Sequence, residues 1–166
     1  GSYSPWLLEG ITGSGKTEVY FRLIEQAASA GMQTLLMVPE INLTPQLEER
    51  FRGRFPDLQL VSLHSNLAEG ERCANWLAAR AGHAQVVIGT RLSIFTPLPQ
   101  LGLIIVDEEQ DASFKQQDGL RYSARDLAIF CAHQRRVPIL LGSATPSLET
   151  YHNAQNKRFG HLHLSR

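Results

Sequence analysis

Gly10, Gly15, Lys16 and Thr17 are the fixed points of GITGSGKT: a glycine, four residues, then Gly-Lys-Thr. That spacing suits a loop that wraps a polyphosphate. Trp6, Leu7 and Leu8 before it read as a short strand, and Val19, Tyr20, Leu23, Ile24 and Ala27 after it recur at helical spacing. The loop therefore joins a strand to a helix N-terminus. There the backbone of Gly10, Thr12, Gly13, Ser14 and Gly15 and the helix dipole face negative charge. Lys16 is placed to reach the terminal phosphates, and Thr17 to hold Mg²⁺ through its hydroxyl. A plain glycine turn capping a helix explains neither the spacing nor the Lys-Thr pair.

A second constellation is Asp107-Glu108-Glu109-Gln110, directly after the apolar run LIIV. A carboxylate at the end of a buried strand is costly unless it meets a cation or a donor. Beside a phosphate loop, Asp107 suits a magnesium ion and Glu108 suits a base for the attacking water. A polar loop that merely ends the strand is the plainer alternative. Three further segments also follow apolar runs: Gly142-Ser143-Ala144-Thr145-Pro146, Gly89-Thr90-Arg91, and Val38-Pro39-Glu40 with Thr44-Pro45-Gln46. All five are expected on one rim of a sheet, at the carboxyl ends of its strands, where such sheets bind ligands.

Strand and helix signals alternate along the chain. Strands are predicted over residues 34–38, 58–63, 86–88, 103–106 and 139–141, with an edge strand over 159–164. Gly31 should stop the first helix. Thr44-Pro45 should open a helix with Leu47, Phe51 and Phe55 on one face. Another helix is predicted over 68–81, with Cys73, Trp76, Leu77 and Arg80 on one side. Ser123 and Asp126 read as a capping box for a helix carrying Leu127, Phe130 and Cys131, and a last helix is predicted over 147–155. This order argues for an α/β fold: a doubly wound, mostly parallel sheet flanked by helices.

The chain has 166 residues, sixteen basic and sixteen acidic, so any nucleic-acid contact must be local rather than a general basic surface. Cys73 and Cys131 form no metal spacing and are expected as buried free thiols, which fits a reducing compartment. No run is long enough to span a membrane. His64, His133, His161 and His163 are read as surface or loop residues. Gly1-Ser2 resembles a tag scar, so residues 1–5 are expected to be a linker remnant and 6–166 one domain of a larger protein.

Taken in order, GITGSGKT, VPEINLTPQ, GTR, DEEQ and GSAT resemble motifs I, Ia, Ib, II and III of superfamily 2 helicases. GITGSGKTEVY, GTRLSIFTP and LGLIIVDEEQDASFKQQDGLRYSARDLA are similar to one family among them, the bacterial primosomal replication-restart helicases. The resemblance implies a RecA-like first motor lobe of an ATP-dependent 3′-to-5′ DNA helicase acting at stalled forks. It implies ATP and Mg²⁺ as cofactors, with zinc confined to a part of the parent outside this chain. It implies DNA contacts at Thr44, Gln46, Thr90 and Arg91. An aromatic-rich loop after motif II adds Phe114, Lys115, Arg121 and Tyr122, the aromatics to stack on bases and the cations to meet phosphates. Gln110 stands where the family usually has His. Gln donates and accepts but does not titrate, so it can still contact nucleotide and bridge to Ser143 and Thr145 for ATP–DNA coupling. Implied partners are single-stranded and forked DNA, a second RecA-like lobe, single-stranded-DNA-binding protein and primosome proteins, in a bacterial cytoplasm at the nucleoid.

Two other classes remain. A GTPase or small-molecule kinase also uses a phosphate loop, but no NKxD motif and no Arg-rich lid is present in the sequence. A non-catalytic docking module has no use for the water-activating carboxylate at Glu108. A superfamily 2 motor supplies its arginine finger from the second lobe. This chain alone is therefore expected to bind nucleotide weakly and hydrolyse it negligibly.

Overall fold

The computed structural model describes residues 3–10, 15–114, 123–144, 148–155 (backbone only for 148–151) and 159–164. Seven strands make one sheet: β1 (Ser4–Glu9), β2 (Gln33–Met37), β3 (Leu60–Leu63), β4 (Val86–Gly89), β5 (Leu101–Val106), β6 (Pro138–Ser143) and β7 (Gly160–His163). Their order across the sheet is β3-β4-β2-β5-β6-β1-β7, and every pairing is parallel. Parallel strands need crossovers. These are supplied by α1 (Lys16–Ser29), α2 (Pro45–Arg54), α3 (Glu69–Arg80), α4 (Ala124–Arg135) and α5 (Leu148–Gln155).

Both faces of the central strands are covered, which is why they read as continuous apolar runs. Leu36, Val86, Ile88, Leu103, Ile105 and Leu140 face Tyr20, Phe21 and Ile24 of α1 and Phe51 of α2. Leu35, Met37, Ile104, Val106, Ile139 and Leu141 face the opposite way, against Ala124, Ala128 and Ala132 of α4. Gly31 ends α1 with φ +75°. Thr44 caps α2 by accepting from the Leu47 N–H at 3.2 Å, and Ser123 caps α4 by accepting from the Asp126 N–H at 3.3 Å.

Two helix faces differ from the sequence expectation. In α4 the stripe against the sheet is Ala124, Ala128 and Ala132, while Phe130 is 59% exposed. In α3 Ala79 is buried, whereas Trp76, Leu77 and Cys73 are exposed. Small alanines let helix and sheet approach closely, so at these positions proximity displaced side-chain size as the determinant of the inner face. The expected burial of the thiols is corrected accordingly: Cys73 is exposed and Cys131 is half-buried.

A buried amide ties one edge of this architecture together. Gln33 is 1% exposed and donates to the carbonyls of Ala79 (3.0 Å) and Ala84 (2.8 Å), while its own oxygen accepts from the Gln100 N–H at 3.0 Å. Gln33→Leu removes these bonds from a buried position and strips their partner from the Ala79 and Ala84 carbonyls and the Gln100 N–H. The expected loss, read by chemical denaturation, is about 1–3 kcal/mol.

Candidate nucleotide site

In the sheet order, β6 separates β1 from β5. The phosphate loop leaves β1 and the acidic segment leaves β5, so their ends meet across the end of β6. Backbone bonds fix this junction. The Gly10 N–H donates to the Ser143 carbonyl (3.0 Å), the Glu109 N–H to the Gly142 carbonyl (3.0 Å), and the Asp107 N–H to the Met37 carbonyl (2.8 Å).

Lys16 opens α1 and is only 8% exposed. Its ammonium donates to the Gly10 carbonyl at 2.6 Å and to Glu108 Oε1 at 3.1 Å. The other oxygen of that carboxylate accepts from Gln110 Nε2 at 2.9 Å, and Gln110 Oε1 accepts from the Ser143 hydroxyl at 2.5 Å. A relay thus runs Lys16–Glu108–Gln110–Ser143, joining the phosphate loop, the end of β5 and the end of β6. Glu108 has φ +49°, a conformation uncommon for a residue with a side chain. Such backbone persists where the surroundings over-determine it, as they do at working sites.

Asp107 lies beside this relay. Its Oδ1 accepts from the Tyr20 hydroxyl at 2.6 Å. Burial raises the Asp107 pKa above the usual carboxylate value, and the Tyr20 hydrogen bond and the Lys16 charge oppose that rise. Burial, then the Asp107 carboxylate, hold the Tyr20 phenol well above its ordinary value, so it remains a donor.

Gly15, Lys16, Thr17, Ile41, Asn42, Arg50, Asp107, Glu108 and Asp111 line one cleft of about 610 Å³. The donor set fits magnesium. Asp107 and Thr17 offer hard oxygens, the pairing Mg²⁺ takes when phosphates complete its shell. Three carboxylates (Asp107, Glu108, Asp111) against two cations (Lys16, Arg50) leave the lining with a negative surplus for a metal to balance.

The expected nucleotide and metal residues Gly10, Gly15, Lys16, Thr17, Asp107, Glu108 and Gln110 therefore converge, with the expected coupling residue Ser143 beside them. Thr12, Gly13, Ser14 and Thr145 lie outside the described residues, as do Lys115, Arg121 and Tyr122 of the expected DNA loop. Phe114 requires a correction: it is 1% exposed and packed in the core beside Val106 and Ala124, so its ring presents no face to a base. The aromatic-rich loop implied by the resemblance gave it a base to stack on, but the three-residue 3-10 turn Ala112–Phe114 turns it inward. Thr44 serves as a helix cap and Gln46 is exposed on the same helix. Thr90 and Arg91 line a second cleft of about 300 Å³ with Arg72, Trp76 and Phe95.

Three residues escaped the sequence reading. Arg50 reaches the nucleotide cleft from α2, and Tyr20 reads from spacing as core. Glu109 is buried against Arg125 of α4 at 3.3 Å, an ion pair with side-chain exposures of 0% and 10%. Only the adjacency of Glu109 to Asp107 and Glu108 hinted at it, since nothing local names a partner sixteen residues away.

Comparison with known proteins agrees with this geometry. A family model for the DEAD/DEAH box helicase matches residues 5–154. The replication restart protein PriA of Haemophilus influenzae is 51% identical over 164 residues, covering 99% of this chain and 22% of that protein. PriA of Bacillus subtilis is 45% identical over 150 residues, covering 90% and 18%. The chain spans about a fifth of the length of these relatives. Among solved structures, RecG bound to a three-way DNA junction superposes with TM-score 0.71 at 26% identity, covering 98% of this chain and 21% of that one. The helicase MrfA bound to DNA and AMPPNP superposes with TM-score 0.67 at 14% identity, covering 98% and 25%, a likeness of fold. With a seven-stranded parallel sheet of RecA-like form, a phosphate loop facing an acidic strand end, and this match over most of its length, the chain belongs to the DEAD/DEAH box helicase family.

Proposed function

We propose that the chain is the first motor lobe of an ATP-dependent 3′-to-5′ DNA helicase that restarts replication at stalled forks. The observation that carries this reading is the relay Lys16–Glu108–Gln110–Ser143. It couples the residue placed to hold terminal phosphates to the residue placed to activate water, and both to the end of a neighbouring strand. The PriA relatives support the replication-restart role, and RecG on a DNA junction supports forked DNA as the substrate.

Magnesium, when bound, neutralises phosphate charge beside Asp107 and Thr17. The remaining chemistry belongs to the chain. Lys16 holds the terminal phosphates. Glu108 orients the attacking water and takes its proton, a step worth about a hundred- to ten-thousand-fold when the base is well placed. Gln110 and Ser143 report the state of Glu108 to β6. Thr44, Gln46, Thr90 and Arg91 contact the DNA backbone, with Lys115, Arg121 and Tyr122 beyond them. A second RecA-like lobe closes the cleft and supplies an arginine, so residues 6–166 act as one domain of a longer protein. Single-stranded-DNA-binding protein and primosome proteins are its partners in a bacterial cytoplasm. Among the described residues, no helix is long and apolar enough to cross a membrane.

The test is nucleotide binding and turnover in the longer protein and in this chain alone. Lys16→Ala should weaken affinity for a fluorescent ATP analogue about 10- to 100-fold, the worth of a charged hydrogen bond. The chain alone should show no DNA-stimulated hydrolysis. Equal affinity in the variant refutes the phosphate role of Lys16, and robust DNA-stimulated turnover by the chain alone refutes the two-lobe requirement.

A further inference from the structure

The helix that follows the phosphate loop, the acidic strand end and the strand β6 meet at one side chain that the relay above does not use. Tyr20 stands one helical turn after Lys16 and is 3% exposed. Its hydroxyl lies 2.6 Å from Asp107 Oδ1, the only polar partner of that hydroxyl in the hydrogen bonds of the described residues. A tyrosine in an apolar interface normally costs free energy unless its hydroxyl finds a partner, and here the partner is the carboxylate assigned to the metal. A second observation is independent of that bond. Gly142, near the end of β6, has its Cα against the same hydroxyl, and a Cβ there would overlap the phenol oxygen. The position is thus shaped around the hydroxyl and not around the ring alone. Phenylalanine would fill the ring's place in the apolar cluster that includes Leu8, Ile105 and Leu140 equally well.

We infer that Tyr20 is a positioning residue for the metal site: its hydroxyl fixes the rotamer of Asp107 by occupying Oδ1, and Gly142 keeps the space in which it does so. The carboxylate is therefore held through Oδ1 from the helix side, and it lines the cleft together with Thr17. Donors behind a metal-binding carboxylate generally govern its affinity through orientation. Because Tyr20 belongs to α1, the carboxylate is referenced to the same helix that carries Lys16 and Thr17. The phosphate and metal contacts then move as one unit. The inference rests on the reading of this cleft as a magnesium–nucleotide site.

The experiment uses the full-length protein, a non-hydrolysable ATP analogue and Mn²⁺ as a spin-active stand-in for Mg²⁺. Tyr20→Phe removes one oxygen and preserves the packed ring. Its Mn²⁺ dissociation constant in the analogue complex, read by electron paramagnetic resonance, should rise about tenfold. Analogue affinity in chelator should stay within about twofold, because no phosphate contact has been altered. Gly142→Ala, which displaces the hydroxyl from the opposite side, should reproduce the rise. An unchanged Mn²⁺ constant in Tyr20→Phe, with analogue binding intact, overturns the role of Tyr20 and leaves the nucleotide site standing. Failure of the unaltered protein to bind Mn²⁺ with the analogue overturns the site reading itself, and Tyr20 with it.

Discussion

Replacing Glu108 by Gln in the full-length protein is expected to lower ATP turnover by about a hundred- to ten-thousand-fold while nucleotide affinity is kept or improved. The two side chains have the same length and shape. A glutamine oxygen can still accept from Lys16 at the present 3.1 Å separation, and its NH2 can donate to Gln110 once the Gln110 amide turns over, with the Ser143 hydroxyl then accepting instead of donating. The pairing that organises the cleft therefore persists. What disappears is the negative charge and its capacity to take a proton. Removing one anion from a lining that already carries Asp107 and Asp111 also lessens repulsion toward a polyphosphate. Steady-state hydrolysis in parallel with equilibrium binding of a fluorescent analogue separates the two effects. Turnover unchanged by this substitution assigns the base to another group.

A second large effect is expected one residue further on. Glu109→Ala removes one carboxylate partner from the guanidinium of the buried Arg125, which is 8% exposed. Removing one partner of a buried pair typically costs about 3–5 kcal/mol, which for a domain of this size corresponds to a melting temperature lower by roughly 6–20 °C. Arg125 keeps its contact with Asp126 at 2.6 Å, but Asp126 is exposed and does not follow it into the core. The double variant Glu109→Leu with Arg125→Met replaces both charges by apolar groups of similar length and should recover most of the loss. Thermal denaturation of Glu109→Leu, Arg125→Met and the double variant closes the cycle. Additive destabilisation shows that the charges are not coupled. Activity is a less direct readout, because Glu109 sits between Glu108 and Gln110 and any shift in its backbone is passed to both.

The contrast between these neighbours explains what could be read before the structure. Asp107 and Glu108 were legible because their chemistry makes sense only beside a phosphate loop, and GITGSGKT supplies one. The sheet was legible because runs such as LIIV and TLLMV have no polar alternation, as strands covered on both faces require. Helix faces were less so. Ala124, Ala128 and Ala132 carry little hydrophobic signal, yet they form the inner stripe of α4, so Phe130 took their place in the sequence reading. Long-range polar pairs were hidden for a different reason. Glu109–Arg125 and Tyr20–Asp107 depend on the relative placement of elements sixteen and eighty-seven positions apart. No local pattern encodes that placement. Phe114 was placed by the aromatic-rich loop that the resemblance implies, whereas the turn Ala112–Phe114 carries it into the core.

The left-handed backbone at Glu108 bears on how variants at this codon should be compared. Asparagine and glycine tolerate that geometry well, whereas valine and isoleucine resist it. A saturation library there will be ranked by two criteria at once, conformational ease and proton affinity. Loss of function in a β-branched variant says little about acid–base chemistry. Only substitutions matched in backbone preference, such as Gln for Glu, isolate the carboxylate's contribution.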